Sequence, residues 1–571
     1  MVFIFLLWVG FLFFPETITT DQYDYIVVGS GAAGSVIANR LSKDTSNRVL
    51  LLEAGEKPNI ASEIYAFSLG STNARYNWNY TSIPLKRNGQ GLRGRRLSAA
   101  AGRVLGGSAS INAGLYFRGN RRDYDNWAKN GAIGWDWKNV YPYFLKMEDN
   151  RDIGIIEKGY HGVGGELVVQ FPPFHTALKN AYKEAAESIG YPYGDYNAEH
   201  QTVFMQPQGA INRGVRWSAV RGFIDTIIGR RNFQLITSAF ATKILINEDN
   251  RAYGVSFDHD GKKLTAVARK EVIICAGTLN SPKLLMLSGI GPKNLLHKLH
   301  IPVKMDLPVG KNLQDHASTT ALQFLVDSYT FSEHRTTKED YQELLINGTG
   351  PLTTLGGVES SGFISTEYNN NKNWPDVIIF WITSRIQNAF SNANDDIQKI
   401  YEKFRNQDII SCVPYVARPK SRGVLTLKSN DPYEKPLIDF NIFSDPYDLK
   451  ALVEGLNHCL KMTATVSMKK FGIKPLPYIM PGCEHYRRFS DDYLSCMASV
   501  LPLSGLHFVG TCKMGSSDDP TSVVDPTLKV KGIQGLRVVD ASIIPSLIGA
   551  TTMAPTMMIA EKAAYMILHN L

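Results

Sequence analysis

Asp24-Tyr25-Ile26-Val27-Val28-Gly29-Ser30-Gly31-Ala32-Ala33-Gly34 decides how this chain folds. A buried apolar run breaks into a glycine turn, and a helix-forming run continues through Ala38 and Leu41. Gly29 permits the tight turn, Gly31 lets backbone approach a pyrophosphate, and Gly34 lets the helix pack close to its strand. The pyrophosphate then faces free N–H groups at the positive end of the helix dipole. A second apolar run, Val49-Leu50-Leu51-Leu52, ends in Glu53. That carboxylate lies about 20 residues past the third glycine, where a ribose hydroxyl needs an acceptor. Strand, glycines, helix, strand and acid in this order predict a Rossmann-type domain holding an adenine dinucleotide. Glu53 argues against a 2′-phosphate, but the motif alone does not separate NAD from FAD.

A chain of 571 residues can bury large cores and predicts two or more domains. Apolar content of 44% and charged content of 20% are globular values and exclude a disordered chain. The net charge of +8 comes from short, scattered clusters such as Arg93, Arg95 and Arg96. No extended basic stripe is present, so a nucleic-acid partner is not expected. Residues 2–14 are almost wholly apolar and give way to Pro15-Glu16-Thr17. That run is shorter than the roughly 20 apolar residues a spanning helix needs, so residues 1–20 read as a signal peptide and no stable membrane insertion is expected. No Lys or Arg precedes the run, and a short membrane anchor is the competing reading. The sequons Asn79-Tyr80-Thr81 and Asn347-Gly348-Thr349 agree with a secreted glycoprotein. Six cysteines without C-x-x-C spacing form no disulfide scaffold; most read as small core residues, and Cys483 could pair with Cys496. No metal site is called for.

After Glu53 a polar, loop-rich stretch leads to Gly102-Arg103-Val104-Leu105-Gly106-Gly107-Ser108-Ala109-Ser110-Ile111-Asn112. Small residues dominate, so backbone can press against something flat. Residues 168–190 read as strand then helix, 233–246 and 270–276 as strand, and 277–291 as a helix capped by glycines. From about residue 317 to 500, alternating strands such as 377–382 mix with helices such as 449–463. This predicts a second domain built on an antiparallel sheet. The tail, 501–571, returns to small, glycine-bearing motifs and re-enters the first domain. The expected layout is thus 21–316 for cofactor binding, with lid and substrate-domain segments at about 113–205. The fold class is α/β plus α+β.

At 102–112 and 277–291 the chain resembles the glucose-methanol-choline (GMC) oxidoreductases. Further matches are 308–316, Gly350-Pro351-Leu352-Thr353-Thr354, Ser421-Arg422-Gly423, and the run from Asp525-Pro526 to Asp540-Ala541-Ser542. The last regions look most like the secreted arthropod branch, which includes glucose dehydrogenase-like proteins, salicyl alcohol oxidase and mandelonitrile oxidase. The resemblance implies FAD rather than NAD. Gly29, Gly31, Gly34 and Glu53 would hold its ADP half, and Ala241 would meet adenine. Val104, Gly107 and Asn112 would lie along the isoalloxazine ring, with Asp540 and Ala541 near its ribityl chain and pyrimidine end. Some relatives attach FAD through a histidine that falls at Ile111 here, so the FAD is expected to be non-covalent.

Oxidising an alcohol on a flavin requires a base for the hydroxyl proton and a hydride acceptor, N5 of the ring. A base near neutral pKa suits the first transfer. His507, opening His507-Phe508-Val509-Gly510-Thr511, matches the family's catalytic histidine. The family's second position, a His or Asn, falls at Thr551, where relatives commonly carry Asn-x-Asn and this chain has Thr551 and Met553. A threonine hydroxyl does not titrate near pH 7. The departure suggests a substrate with an unusually acidic hydroxyl, such as the cyanohydrin mandelonitrile, or a second hydrogen bond supplied from elsewhere. The expectation is oxidation of a small, apolar or aromatic alcohol, with O2 or a quinone reoxidising the flavin. A hydroxynitrile lyase with non-redox FAD and a secreted, non-catalytic flavoprotein are the alternatives. The electron acceptor and oligomeric state, a homodimer included, are left open.

Overall fold

The structure is a computed structural model that describes residues 17–68, 74–384 and 392–571. Most of the expected signal peptide, residues 1–16, lies outside the described residues; the backbone of residues 17–20 opens the first strand, Thr17–Val28. Two sheets organise the rest of the chain.

The first sheet has the strand order Phe233–Ile236, Val49–Leu52, Thr17–Val28, Lys262–Ile274, Ala252–His259, Phe240–Ile246, and Leu536–Val538 adds to Lys262–Ile274. The pairings of Thr17–Val28 with its two neighbours are parallel, as are those of Phe233–Ile236 and Leu536–Val538. Strands buried on both faces read as continuous apolar runs, and Val49–Leu52 is buried at all four positions. The helix Ala32–Leu41 follows the glycine turn. It packs against the C-terminal helix Met553–Leu568. Arg40 and the fully buried Glu561 close that contact, Arg40 Nε lying 2.9 Å from Oε1. The expected single strand over 233–246 is two strands, because Ser238 turns the backbone at φ +54° and Ala239 N donates to Glu53 O at 2.8 Å.

The second sheet is antiparallel, in the order Lys474–Pro475, Gln323–Leu325, Ile409–Val416, Val377–Ile382, Val358–Ile364, Phe204–Met205. Ala317–Thr319 joins it beside Ile409–Val416 and pairs in turn with Pro502–Ser504. The helix Pro446–Thr463 covers its outer face. Cys412, on the central strand, is bonded to Cys459, on that helix, and Cys483 is bonded to Cys496. The second is the pairing the sequence left open. The first corrects the reading of Cys412 and Cys459 as plain core residues: their separation of 47 residues hid a contact that only helix-on-sheet packing creates. Cys275 and Cys512 are free and buried. No described helix is long and apolar enough to cross a membrane.

Candidate active site

One continuous cavity runs from the glycine turn to the second sheet. Gly29, Gly31, Glu53, Gly107, Asn112, Ala241, His507, Asp540, Ala541 and Thr551 all line it. Residues from opposite ends of the chain meet there because the parallel strands end together at the glycine turn and the two-sheet arrangement folds the tail across them.

At the nucleotide end, the turn works as its glycines require. Gly29 sits at φ +99°, and a Cβ on it would come within 2.5 Å of Cys275 O. A Cβ on Gly34 would fall 1.8 Å from Gly29 O, so only glycine lets helix and turn meet. A Cβ on Gly31 meets nothing within 4 Å, because that position opens onto the cavity. Gly107, at φ +55°, approaches so closely that a Cβ on it would lie 2.9 Å from Gly31 Cα. The Glu53 carboxylate accepts from Ser30 N at 3.0 Å, Ser30 Oγ at 2.6 Å and Gly55 N at 2.7 Å. A carboxylate offers about four lone-pair sites, so room for one more donor remains. Burial pushes the Glu53 carboxyl up, against these three donors. Asp540 accepts from Gly277 N at 2.9 Å and Ser281 Oγ at 2.5 Å, tying the start of the helix Gly277–Leu287 to the tail.

Two expected residues stand apart from the cavity wall. Gly34 lies inside the helix–strand contact, as its role demands. Val104 is fully buried behind the wall rather than along it: its carbonyl accepts from Gly107 N at 2.7 Å and its backbone bridges Glu56. In that place it supports the 102–112 turn. The residues present fit FAD. An open glycine faces the helix N-terminus, Glu53 has a spare acceptor site, and a glycine-lined channel leads on toward His507. Ile111 lines the cavity and offers no nitrogen for a covalent link.

At the far end, His507 Nδ1 lies 2.9 Å from Nδ1 of His316. His316 Nε2 lies 3.0 Å from Ala417 O and 3.1 Å from Ile548 O. Carbonyls only accept, so Nε2 of His316 carries its proton and Nδ1 is its lone pair. His507 must then donate from Nδ1, which leaves Nε2 of His507 as a free base; no described residue hydrogen-bonds it. Burial pushes His316 down to about 4 and, together with His316 itself, holds His507 well below the usual histidine range. Both rings are neutral near pH 7, the state a base requires. The pairing of Ala317 with Ser504 brings the two histidines together, and Asp315 Oδ1 accepts from His507 N at 2.8 Å. Burial raises Asp315 to about 7, against donation from Ser504 and three backbone N–H groups. His316 stands in the 308–316 motif but had no assigned role; only the fold shows that it faces His507.

Thr551 also lines the cavity, and its hydroxyl donates to Leu115 O at 3.3 Å. Asn112 Nδ2 reaches Met553 Sδ at 3.3 Å, and Asn112 Oδ1 accepts from Arg216 Nη1 at 2.9 Å. The second sheet contributes Val358, Phe380, Ile382 and Tyr415 to the cavity wall, and the Tyr415 ring centroid lies 6.1 Å from that of His507.

Residues 23–318 and 419–560 match the GMC oxidoreductase family. The chain belongs to that family. It is 34% identical to a glucose dehydrogenase [FAD, quinone] of Drosophila pseudoobscura pseudoobscura, over 96% of this chain and 87% of the relative. It is 36% identical to an alcohol dehydrogenase [acceptor] of Pseudomonas putida, over 96% of each. Among solved structures, pyridoxine 4-oxidase from Mesorbium loti aligns with a TM-score of 0.81 at 26% identity, over 96% of this chain and 99% of that one. This GMC oxidoreductase is accordingly an FAD-dependent enzyme acting on alcohols, with the Rossmann-type and antiparallel-sheet architecture of its family.

Proposed function

We propose that this GMC oxidoreductase oxidises a small, apolar or aromatic alcohol to the carbonyl compound. The observation that carries the reading is the part of the cavity wall that the second sheet supplies. Val358, Phe380 and Ile382 are apolar, and Tyr415 adds one hydroxyl. A sugar needs many convergent polar groups, which this wall does not supply. FAD, when bound, supplies the hydride acceptor. The chain's part is to hold the alcohol against the wall, exclude water with apolar surface, and accept the hydroxyl proton at His507 Nε2. Mandelonitrile is the leading candidate, since it is aromatic and its acidic hydroxyl demands little of Thr551. O2 or a quinone serves as the second acceptor, in keeping with the names of the relatives.

The enzyme acts outside the cell on this reading. Two disulfides suit an oxidising compartment. Asn79 and Asn347, the sequon asparagines, are both exposed. A mass loss on treating protein from culture medium with a glycosidase checks this.

The test of the activity is anaerobic bleaching of bound flavin across sugars, aliphatic alcohols, aromatic alcohols and cyanohydrins. Aromatic alcohols should bleach it faster than glucose. Glucose as the fastest donor would overturn the reading. Mandelonitrile separates oxidation, which yields benzoyl cyanide, from lyase chemistry, which yields benzaldehyde and cyanide with the flavin still yellow.

A further inference from the structure

Oxygen chemistry at His507 calls for two groups on the substrate hydroxyl: one to take its proton, and one to donate toward the oxygen as negative charge grows there. His507 Nε2 is the first. The position the family uses for the second is Thr551, whose O–H is already directed at Leu115 O. A hydroxyl whose one proton is committed can only accept. Asn112 Nδ2 donates one of its two N–H groups to Met553 Sδ, and Asn112 Oδ1 accepts from Arg216 Nη1.

The second sheet offers a different donor. Residues opposite each other in an antiparallel pair share a face, and alternate residues along a strand do so too. Ile378 pairs with Tyr415, Phe380 with Val413, and Ile382 with both Ser411 and Val358. Tyr415, Phe380, Ile382 and Val358 thus project from one face, and these are the four residues of this sheet that reach the cavity. Only Tyr415 among them bears a hydrogen-bonding group. Its ring centroid lies 6.1 Å from that of His507, 6.4 Å from that of His316 and 5.4 Å from that of Phe380. Phe380 packs edge-on against it, with the two ring planes at 76°, and holds its orientation. No described residue hydrogen-bonds the Tyr415 hydroxyl. Burial, with the Asp315 charge, pushes its ionisation far above the usual phenol value, so it keeps its proton at any working pH.

We propose that Tyr415 donates the second hydrogen bond to the substrate oxygen, in place of Thr551, whose hydroxyl is directed at Leu115 O. The inference rests on the alcohol-oxidising reading above and deepens it: the site takes an alcohol whose carbon frame is apolar on the sheet side and whose single oxygen lies between an imidazole and a phenol. No bond forms to Tyr415, and its proton stays on the phenol throughout.

The experiment compares wild type, Tyr415→Phe, Thr551→Val and Ser68→Ala, each as holoenzyme with its flavin spectrum checked. Ser68 is included because its buried Oγ also lines the cavity without a partner among the described residues. Flavin reduction by benzyl alcohol is followed anaerobically. Binding of benzyl alcohol and of its hydroxyl-free isostere, ethylbenzene, is read from the shift in flavin absorbance. Losing one such donor costs on the order of 100-fold in the chemical step. Tyr415→Phe should show that loss and weaker benzyl alcohol binding, with ethylbenzene binding unchanged. Equal loss for both ligands would mean that Tyr415 only packs, and would overturn the proposal. So would wild-type reduction in Tyr415→Phe, or the larger loss appearing in Thr551→Val or Ser68→Ala. If no alcohol reduces the wild type, the alcohol reading fails, while the paired binding measurements still decide the role of Tyr415.

Discussion

At the scale of single residues, the chemistry depends on which nitrogen of His507 is bare. Two carbonyls, of Ala417 and Ile548, fix the proton on His316 Nε2, and that choice propagates through one N–H···N contact to His507. Replacing His316 by alanine removes the acceptor that holds His507 in this tautomer. Flavin reduction should then slow by about 10²-fold, within the range that general-base positioning contributes. The pH profile distinguishes this from loss of structure. His507 is held low first by burial and then by His316. A base works only when unprotonated, so wild-type activity persists well below the ordinary histidine value of about 6.5 and falls as pH drops through the lowered one. Without His316 the His507 pKa rises, and the acid limb of kcat/KM should move to higher pH. An unmoved limb would show that His316 merely fills space. His507 was legible as the candidate base from its motif. Its partner was not, because nothing in the spacing from 316 to 507 signals that Ala317 and Ser504 pair.

At the scale of elements, the strand–turn–helix at Asp24 to Leu41 was legible because its requirements are local. Apolar run, glycine positions and helix lie within one short stretch, and each glycine has a distinct reason to lack a Cβ. Two substitutions separate those reasons. Gly34→Ala puts a methyl 1.8 Å from Gly29 O and should destabilise the domain by about 1–3 kcal/mol, as overpacking does. Gly31→Val points into open cavity, so the protein should keep its circular dichroism and its thermal transition while failing to retain FAD. If Gly31→Val binds FAD normally, the cofactor does not lie against this turn. The Cys412–Cys459 bond shows the limit of local reading. It joins the strand Ile409–Val416 to the helix Pro446–Thr463, and neither element announces the other.

At the scale of the molecule, a buried ionic network anchors the segment that bounds the cavity at Leu115. Arg118 contacts Glu148, whose Oε1 lies 2.6 Å from His161 Nδ1, and His161 Nε2 lies 2.8 Å from Asp195. All four side chains are buried. Burial alone would raise Glu148, but Arg118 and His161 hold it down to about 2. A carboxylate with a depressed pKa stabilises the fold fully above its unfolded value, about 4.3, and loses that contribution as pH falls toward 2. His161 is shifted the opposite way: burial lowers it, yet Asp195 and Glu148 raise it overall, so its share is present below about 6.5 and lost as pH rises through the raised value. Glu148→Gln leaves Arg118 buried without its counter-charge, at a cost of about 3–5 kcal/mol. Its thermal midpoint should fall at pH 7 and change less than that of wild type between pH 5 and 3. Equal acid sensitivity in the two proteins would remove Glu148 from the account.

From the sequence alone came the nucleotide-binding turn, the alternation that marks an antiparallel second domain, and His507 as the candidate base. Each depends on residues close together in the chain or on the periodicity of one element. Tertiary structure alone decided that His316 sets the tautomer of His507, that Thr551 spends its proton on Leu115, that Val104 stands behind the wall, and that Tyr415 reaches the cavity from the second sheet. The meeting of His316 with His507 beside the Ala317–Ser504 pair and the reach of Tyr415 depend on strand register, and a shift of one residue turns every side chain of a strand to the opposite face. Register is set by the whole set of pairings at once, so no short stretch of this chain carries it.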